Sequence, residues 1–206
     1  LRAALAVRPE ATVLCFDQQH SPEDLAAMLA EADVVVHLAG VNRPRSDAEF
    51  TTGNVGLTEA VCAGLIAAGR ATPIVLASSV QAALDNPYGA SKRQAEAVVA
   101  AYARATGARC TIFRLQNVFG KWCRPNYNSV VATFCHNISR DEPITISHPD
   151  RELELVHVDD VVAGIGEWGA GTGDWGVGTG EWGLGSGDWG TGTGEREAGV
   201  VYREVA

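Results

Sequence analysis

Three short apolar runs, each separated from the next by a helical pattern, constrain the fold of this chain more than any other feature. They cover residues 33–40, residues 73–79 and Cys110–Leu115, and none alternates with polar residues as a half-exposed strand does. Strands that are apolar throughout are buried on both faces, which is typical of parallel sheets covered by helices. The sequence therefore predicts an α/β fold with a doubly wound parallel sheet.

Helix signals lie between these runs. Ser21 precedes a proline and is a typical N-cap, and an apolar-periodic helix is expected over residues 55–68. A long helix is expected to start at Asn86 and to end near Gly107. A further short run, residues 12–16, is predicted to be a strand.

Small and polar residues follow three of the predicted strands. Gly40, Ser79 and Asn117 each lie at the carboxyl end of a strand. Ligands of open parallel sheets bind beyond these ends. The sequence therefore predicts that the three positions converge on one crevice.

Tyr88 and Lys92 form a Tyr-x-x-x-Lys pair at the start of the long helix, and Ser79 precedes them. Residues four apart share a helix face, so the phenol and the ammonium can project into one pocket. A nearby cation is expected to lower the pKa of the phenol from about 10, as proton transfer requires. Tyr-x-x-x-Lys also occurs by chance on exposed helices that have no catalytic role. The motif therefore indicates catalysis only if other residues of the chain support it.

Charge and cysteine content narrow the class of protein. The chain has 206 residues and a formal net charge of −9, which argues against a nucleic-acid or membrane-surface protein. Its five cysteines are an odd number scattered through apolar segments, so we expect reduced thiols in a cytoplasmic protein. Adjacent Cys135 and His136 have poor spacing for metal ligands, and no metal site is predicted.

A seven-residue repeat of the form Gly-Glu/Asp-Trp-Gly-x-Gly-Thr/Ser occupies residues 166–193. One interpretation is a tryptophan-rich binding array, and a second is a disordered low-complexity tail. A third, which we favour, is G-rich DNA translated in a shifted frame. The predicted organisation is accordingly an incomplete nucleotide-binding domain over residues 1–165 and a repeat tail over residues 166–206.

The order of motifs along residues 1–165 resembles that of the extended short-chain dehydrogenase/reductases, also called the NAD-dependent epimerase/dehydratase family. The motifs are Leu38-Ala39-Gly40, Asn54, Ser78-Ser79, Tyr88-x-x-x-Lys92, Arg114-x-x-Asn117-x-x-Gly120 and residues 156–161. Residues 37–44, 85–89 and 119–138 are similar to the capsular-polysaccharide reductases of the CapF/WbjC type. Members of that group reduce the C4 keto group of a UDP-linked 2-acetamido-2,6-dideoxyhexose with NADPH.

The resemblance implies a Rossmann-like fold and a role for each matching residue. Tyr88 would donate a proton to the ketone oxygen, Ser79 would hold that oxygen, Lys92 would lower the pKa of Tyr88, and Asn54 would complete a proton relay. The implied cofactor-binding residues are Asp17, Leu38, Ala39, Gly40, Ser78, Tyr88 and Lys92. The implied substrate-binding residues are Arg43, Asn117, Lys121, Arg124 and Asn126.

The chain departs from the family pattern at both ends. The family's Gly-x-x-Gly-x-x-Gly turn is absent and residues 1–7 resemble the helix after it, so the fold is expected to lack its first strand and glycine-rich turn. The chain as written is therefore expected to bind dinucleotide poorly and to turn over slowly or not at all. Asp17 favours NAD(H), whereas the CapF resemblance favours NADP(H).

The expected activity is NAD(P)H-dependent reduction of a 4-keto UDP-sugar for capsule or O-antigen synthesis, by a protein that is a homodimer when complete. Val80 and Gln81 follow Ser79 where dehydratases of the superfamily carry acidic residues, which argues against dehydration. A nucleotide-sugar epimerase and a truncated, non-catalytic binding protein remain as alternatives. An interaction protein that acts through the tryptophan repeat is the least favoured.

Overall fold

The computed structural model of the chain describes residues 1–169, 196–197 and 200–205. The strands are β1 (Val35–His37), β2 (Ile74–Ser79), β3 (Cys110–Leu115), β4 (Asn117–Phe119), β5 (Leu155–His157), β6 (Arg196–Glu197) and β7 (Val200–Val205). The α-helices are α1 (Arg2–Leu5), α2 (Pro22–Glu31), α3 (Asp47–Phe50), α4 (Leu57–Ala67), α5 (Pro87–Thr106), α6 (Val130–Ile138) and α7 (Val158–Gly169). A π-helical segment, Thr51–Gly56, precedes α4, and a 3₁₀ turn, Val80–Ala83, follows β2.

The described residues fall into two compact units, residues 1–114 with 196–197 and 200–204, and residues 115–169 with 205. The first unit holds a sheet with the strand order β1-β2-β3-β7-β6, in which β1 runs parallel to β2 and β6 antiparallel to β7. The second unit holds the parallel pair β4 and β5. The alternation of strands and helices expected from the three apolar runs is therefore confirmed.

Strand β2 is at the centre of the core of the first unit. Its residues Ile74, Val75 and Leu76 are almost inaccessible to solvent, as expected for a strand covered on both faces. Helices α4 and α5 pack against each other over this core. The buried cluster comprises Leu29, Val61, Cys62, Leu65, Ile74, Leu76, Ala95, Val99, Ala100, Tyr102, Ala103, Ala108, Cys110 and Ile112.

Local signals position helix α5, which carries Tyr88 and Lys92. The Asn86 side chain caps the helix by accepting a hydrogen bond from the Gly89 amide at 2.8 Å. Gly107 ends the helix in the left-handed conformation, with φ of 73°. Both ends agree with the sequence prediction, and they set the register of every side chain that α5 presents to β2.

The predicted strand over residues 12–16 is wrong. These residues have no regular secondary structure, and β1 is the edge of the sheet on that side in the described part of the chain. A strand forms only where a neighbouring strand satisfies its backbone hydrogen bonds, and none of the described strands pairs with residues 12–16.

The C-terminal region differs in part from the expected tail. Helix α7 continues to Gly169, and β6 and β7 lie in the last eleven residues of the chain, where Val200, Val201 and Tyr202 favour a strand. Residues 170–195, which hold most of the repeat, lie outside the described residues. The three interpretations of the repeat stay predictions.

The cysteines that the structure describes are free thiols. Burial raises the pKa of Cys62 to about 12 and that of Cys110 to about 11, so both stay protonated in the core. Over the described residues, no helix is both long and apolar enough to cross a membrane, and no cluster of His, Cys, Asp or Glu could hold a metal ion.

Candidate active site

One face of α5 meets the carboxyl end of β2. Tyr88, Lys92 and Glu96 are four residues apart and therefore lie on the same side of the helix. Lys92 and Glu96 are buried, with 6% and 2% of their surfaces exposed. Charged side chains are seldom buried without partners, so both Lys92 and Glu96 are expected to have polar or charged groups beside them.

The Lys92 ammonium lies under the Tyr88 ring. Its Nζ donates a hydrogen bond to the Ala77 carbonyl of β2 at 3.1 Å and is 5.8 Å from the centroid of the Tyr88 ring. Burial lowers the pKa of Lys92, and the negative charge of Glu96 opposes that shift. The sequence prediction that Tyr88 and Lys92 share one pocket agrees with this geometry.

The Ser79 hydroxyl lies near the Tyr88 phenol and favours its ionised form. The half-buried Tyr88 ring also packs against Phe50, with 5.7 Å between the ring centroids. Burial raises the pKa of Tyr88, and the neighbouring Ser79 hydroxyl only partly opposes this shift. Desolvation of the phenolate thus decides the direction of the shift, and the role of Lys92 in lowering the pKa of Tyr88 stays a prediction.

Asn54, in the π-helical segment, forms hydrogen bonds with the backbone of Val41, in the loop after β1. Its Oδ1 accepts a hydrogen bond from the Val41 amide at 2.7 Å, and its Nδ2 donates to the Val41 carbonyl at 3.2 Å. Nδ2 also donates to Ser91 Oγ at 2.9 Å, and Ser91 in turn donates to the Tyr88 carbonyl. The amide thus connects the β1 end to the first turn of α5. Its role in a proton relay stays a prediction.

Gly40 follows β1, and a side chain there would crowd two polar groups of the site. A Cβ at this position would be 2.9 Å from Asn54 Oδ1 and 3.1 Å from Lys92 Nζ. Leu38, Ala39 and Gly40 are exposed, so the backbone beside the ammonium is open to a ligand. Glycine is used where another group must approach the backbone closely, which agrees with the predicted importance of this segment.

Ser78 does not face this opening. It is buried, with 4% of its surface exposed, and its hydroxyl donates to Glu96 Oε1. Glu96 also receives two hydrogen bonds from Arg114, of 3.1 Å and 2.7 Å. Sequence reasoning missed Glu96, although its position four residues after Lys92 on the same helix face is a usable signal.

His37 is the second group that sequence reasoning missed. It is buried at the end of β1, and its Nε2 lies 2.9 Å from Thr58 Oγ1. The single hydroxyl proton of Thr58 is donated to the Asn54 carbonyl at 2.6 Å, so Thr58 accepts from a neutral His37 protonated at Nε2. Burial, with a smaller contribution from Lys92, lowers the pKa of His37 from 6.5 to about 4.

The low pKa of His37 predicts that the folded chain loses stability in acid. The folded chain keeps His37 neutral, whereas the unfolded chain binds a proton as the pH falls below 6.5. The free energy of unfolding should therefore be highest above pH 6.5 and fall by about 3 kcal/mol as the pH drops to about 4. Urea denaturation of the native chain and of His37→Gln, compared across this range, isolates the contribution of His37.

The matched control is His148→Gln, because His148 is exposed. It should keep the full pH dependence of the native chain, and His37→Gln should lose the part between pH 6.5 and 4. An unchanged slope in His37→Gln would contradict the assignment of a neutral, buried His37.

Asp17 and Arg43 lie in loops of the first unit. Asp17 is 61% exposed at its side chain, accepts a hydrogen bond from the Gln19 amide and lies 2.9 Å from His20 Nδ1. These hydrogen bonds lower the pKa of Asp17, and Arg43 is exposed after β1. A ligand at Asp17 would therefore have to compete with His20.

The remaining predicted substrate residues belong to the second unit and are exposed. Asn117 Nδ2 donates to the Glu154 carbonyl at 3.3 Å, and Lys121 Nζ lies 2.9 Å from Asp159 Oδ2. The Arg124 guanidinium lies 5.5 Å from the centroid of the Tyr127 ring, and Asn126 adopts a left-handed backbone with φ of 54°.

A groove of about 470 Å³ in this unit is bounded by the loop after β4 and by α6. Its lining residues are Phe119, Gly120, Trp122, Cys123, Pro125, Val131, Ala132, Cys135 and His136.

Known proteins share both the sequence and the fold. The profile of the NAD dependent epimerase/dehydratase family matches residues 14–166. The UDP-2-acetamido-2,6-beta-L-arabino-hexul-4-ose reductase of Pseudomonas aeruginosa is 49% identical over 162 residues, which are 79% of this chain and 44% of that protein.

Solved structures extend the comparison. The capsular polysaccharide assembling protein CapF from Staphylococcus aureus has a TM-score of 0.74 at 44% identity, with 86% of this chain and 48% of CapF covered. DesIV, a dTDP-glucose 4,6-dehydratase of Streptomyces venezuelae crystallised with NAD and TYD, has a TM-score of 0.62 at 26% identity, over 80% of this chain and 57% of DesIV. The predicted Rossmann-like α/β class is thus confirmed. The chain spans about half the length of these relatives.

Proposed function

The chain belongs to the NAD dependent epimerase/dehydratase family, and on this premise we propose that it is part of an NAD(P)H-dependent reductase of a 4-keto nucleotide sugar. The substrate is a UDP-linked 2-acetamido-2,6-dideoxyhexose that is used for capsule or O-antigen polysaccharide. The named activity of the Pseudomonas aeruginosa relative supports this substrate class. The likeness to CapF supports the polysaccharide context.

The observation that carries the proposal is the arrangement of three side chains at the end of β2. The Ser79 hydroxyl lies near the Tyr88 phenol, and the buried Lys92 ammonium lies 5.8 Å from the centroid of the Tyr88 ring. A ketone oxygen bound at the Ser79 and Tyr88 hydroxyls would receive two hydrogen bonds. Donors aimed at an oxygen that gains negative charge stabilise the transition state of carbonyl reduction.

The dinucleotide fits the residues beside this group. The Leu38–Gly40 backbone is exposed, and Gly40 leaves no side chain between it and Lys92 Nζ. Lys92 uses one N–H for Ala77, so a ribose hydroxyl can accept another. When bound, NAD(P)H supplies the hydride that adds to the carbonyl carbon.

Tyr88 supplies the proton that balances this hydride. Its O–H bond breaks as a new O–H bond forms on the former ketone oxygen, so ketone, hydride and proton together give the alcohol. Because burial raises the pKa of Tyr88, the phenol is protonated at neutral pH. A protonated Tyr88 suits reduction, which begins with an acid, better than alcohol oxidation, which begins with a base.

The substrate-binding residues are those that the family resemblance implies. We propose that Arg124 binds a phosphate of the nucleotide and that Arg43, Asn117, Lys121 and Asn126 contact the sugar nucleotide. Lys121 would have to exchange Asp159 for the ligand, since the two are 2.9 Å apart. This pair is exposed, so the exchange costs little.

The same proposal covers cofactor preference, location and assembly. The exposed Asp17 carboxylate favours a ribose 2′-hydroxyl over a 2′-phosphate, whereas likeness to the reductase group favours NADPH. The free thiols of Cys62 and Cys110 suit a reducing cytoplasm. We retain the prediction that the whole protein is a homodimer, which sedimentation analysis tests.

The experiment is an assay of a protein that joins these residues to the family's Gly-x-x-Gly-x-x-Gly turn, with the UDP-4-keto sugar and either NADPH or NADH. We expect oxidation of one cofactor molecule for each 4-hydroxy sugar formed, as followed by cofactor absorbance and by NMR of the sugar. Conversion of a UDP-sugar to its epimer without net cofactor consumption would contradict a reductase. Binding of the sugar without any conversion would support the non-catalytic alternative.

A further inference from the structure

We propose that Glu96, held by Arg114, is a positioning residue that joins the end of β2 to α5 and keeps Lys92 in place as an ammonium. The juxtaposition behind this proposal is a pair of contacts between neighbouring residues of β2 and of α5. Lys92 donates to the Ala77 carbonyl, and Glu96, one helical turn further on, accepts from the Ser78 hydroxyl.

Glu96 contacts two strands. It accepts a hydrogen bond from the Ser78 hydroxyl of β2 and two from the Arg114 guanidinium of β3. Residues four apart are neighbours on one face of a helix, so the Glu96 carboxylate also lies beside Lys92. The contacts of Glu96 therefore hold a negative charge next to the Lys92 ammonium.

The charges of this cluster do not cancel. Lys92 and Arg114 are cations and Glu96 is an anion, while the neighbouring His37 is neutral because its pKa is about 4. Arg114 holds Glu96 with two hydrogen bonds, so the carboxylate is both satisfied and oriented. An isolated buried ammonium tends to lose its proton, and the Glu96 charge opposes this loss at Lys92.

The inference rests on the proposed function in one respect, the assumption that Lys92 acts in catalysis. Its test measures a pKa and needs no turnover, so its failure and that of the proposed function are distinguishable.

The chain has two lysines, Lys92 and Lys121, and Lys121 is 59% exposed at its side chain. A full chain labelled with ¹³C at lysine Cε thus gives one reporter signal and one internal reference, assigned with Lys121→Arg.

We expect the native chain to keep Lys92 protonated at neutral pH. Glu96→Gln should lower the pKa of Lys92 further, by roughly one unit or more, and leave Lys121 unchanged. Arg114→Gln should raise the pKa of Lys92, because the negative charge of Glu96 is then no longer shared between Lys92 and Arg114. Glu59→Gln, which changes an exposed carboxylate on α4, is the matched control and should move neither signal.

Opposite shifts in the two variants would not arise from a merely structural role, which would loosen α5 in both cases. An unchanged pKa of Lys92 in folded Glu96→Gln or folded Arg114→Gln would overturn the proposal. If neither variant folds, the native titration decides, since a Lys92 that loses its proton below neutral pH would also overturn it.

Discussion

In a protein that joins these residues to the family's Gly-x-x-Gly-x-x-Gly turn, Tyr88→Phe is expected to lower kcat by about 10²- to 10⁴-fold, the usual contribution of a general acid. The phenylalanine ring keeps the contact with Phe50 but has no proton for the ketone oxygen. The affinity for NAD(P)H should change little, because Lys92 and the exposed Leu38–Gly40 backbone are retained. Turnover is measured with the UDP-4-keto sugar, and cofactor affinity by fluorescence titration.

Tyr102→Phe is the matched control on the same helix. The Tyr102 hydroxyl donates to the Thr72 carbonyl at 2.8 Å, near the start of β2 and away from Ser79. Its loss should cost about 1 kcal/mol of stability and leave kcat unchanged in the folded protein. Equal losses of turnover and cofactor affinity in Tyr88→Phe would argue against Tyr88 as the acid.

Gly89→Ala is expected to destabilise the chain by about 1–3 kcal/mol, the usual cost of an overpacked site. A Cβ on Gly89 would lie 2.1 Å from the Gln81 carbonyl oxygen and 2.9 Å from that of Leu84. These are backbone atoms of the turn after β2, so either that turn or the start of α5 has to move. The gain of up to about 1 kcal/mol from replacing glycine in a helix does not offset this overlap.

Gly56→Ala provides the control for Gly89→Ala. Gly56 has helical angles, and a Cβ there would be 3.9 Å from the Thr51 carbonyl, an ordinary contact. It should be neutral or slightly stabilising, as measured by urea denaturation. Because displacement of the turn separates Ser79 from Tyr88, the pKa of Tyr88 should rise in Gly89→Ala, which NMR of tyrosine Cζ detects. A stability equal to that of Gly56→Ala would contradict the close contact.

The parts of the fold that could be predicted are those specified by local sequence. Continuous apolar runs predicted β2 and β3, and the Asn86 cap and Gly107 predicted both ends of α5. Residues 12–16 have an equally good strand pattern but no paired strand in the described chain. Strand formation depends on partners distant in sequence, which a local pattern does not contain.

The candidate site was predictable to a similar extent. Residue spacing placed Tyr88 and Lys92 on one face, whereas the direction of the pKa shift of Tyr88 depends on burial. The partners of Glu96 and His37 come from other elements, Arg114 on β3 and Thr58 on α4. Such contacts between distant segments are set by the tertiary packing and have no signature in spacing alone.

Transfer of deuterium from the cofactor tests the central claim most directly. A protein that joins these residues to the family's Gly-x-x-Gly-x-x-Gly turn is incubated with the UDP-4-keto sugar and NAD(P)H that carries deuterium at the transferable position of C4, and the sugar product is examined by NMR. We predict one deuterium on C4 of the sugar and its loss from the cofactor, with both slowed about 10²- to 10⁴-fold in Tyr88→Phe. A 4-hydroxy product that carries no deuterium, or an epimer formed with the label still on the cofactor, would contradict the proposed reduction.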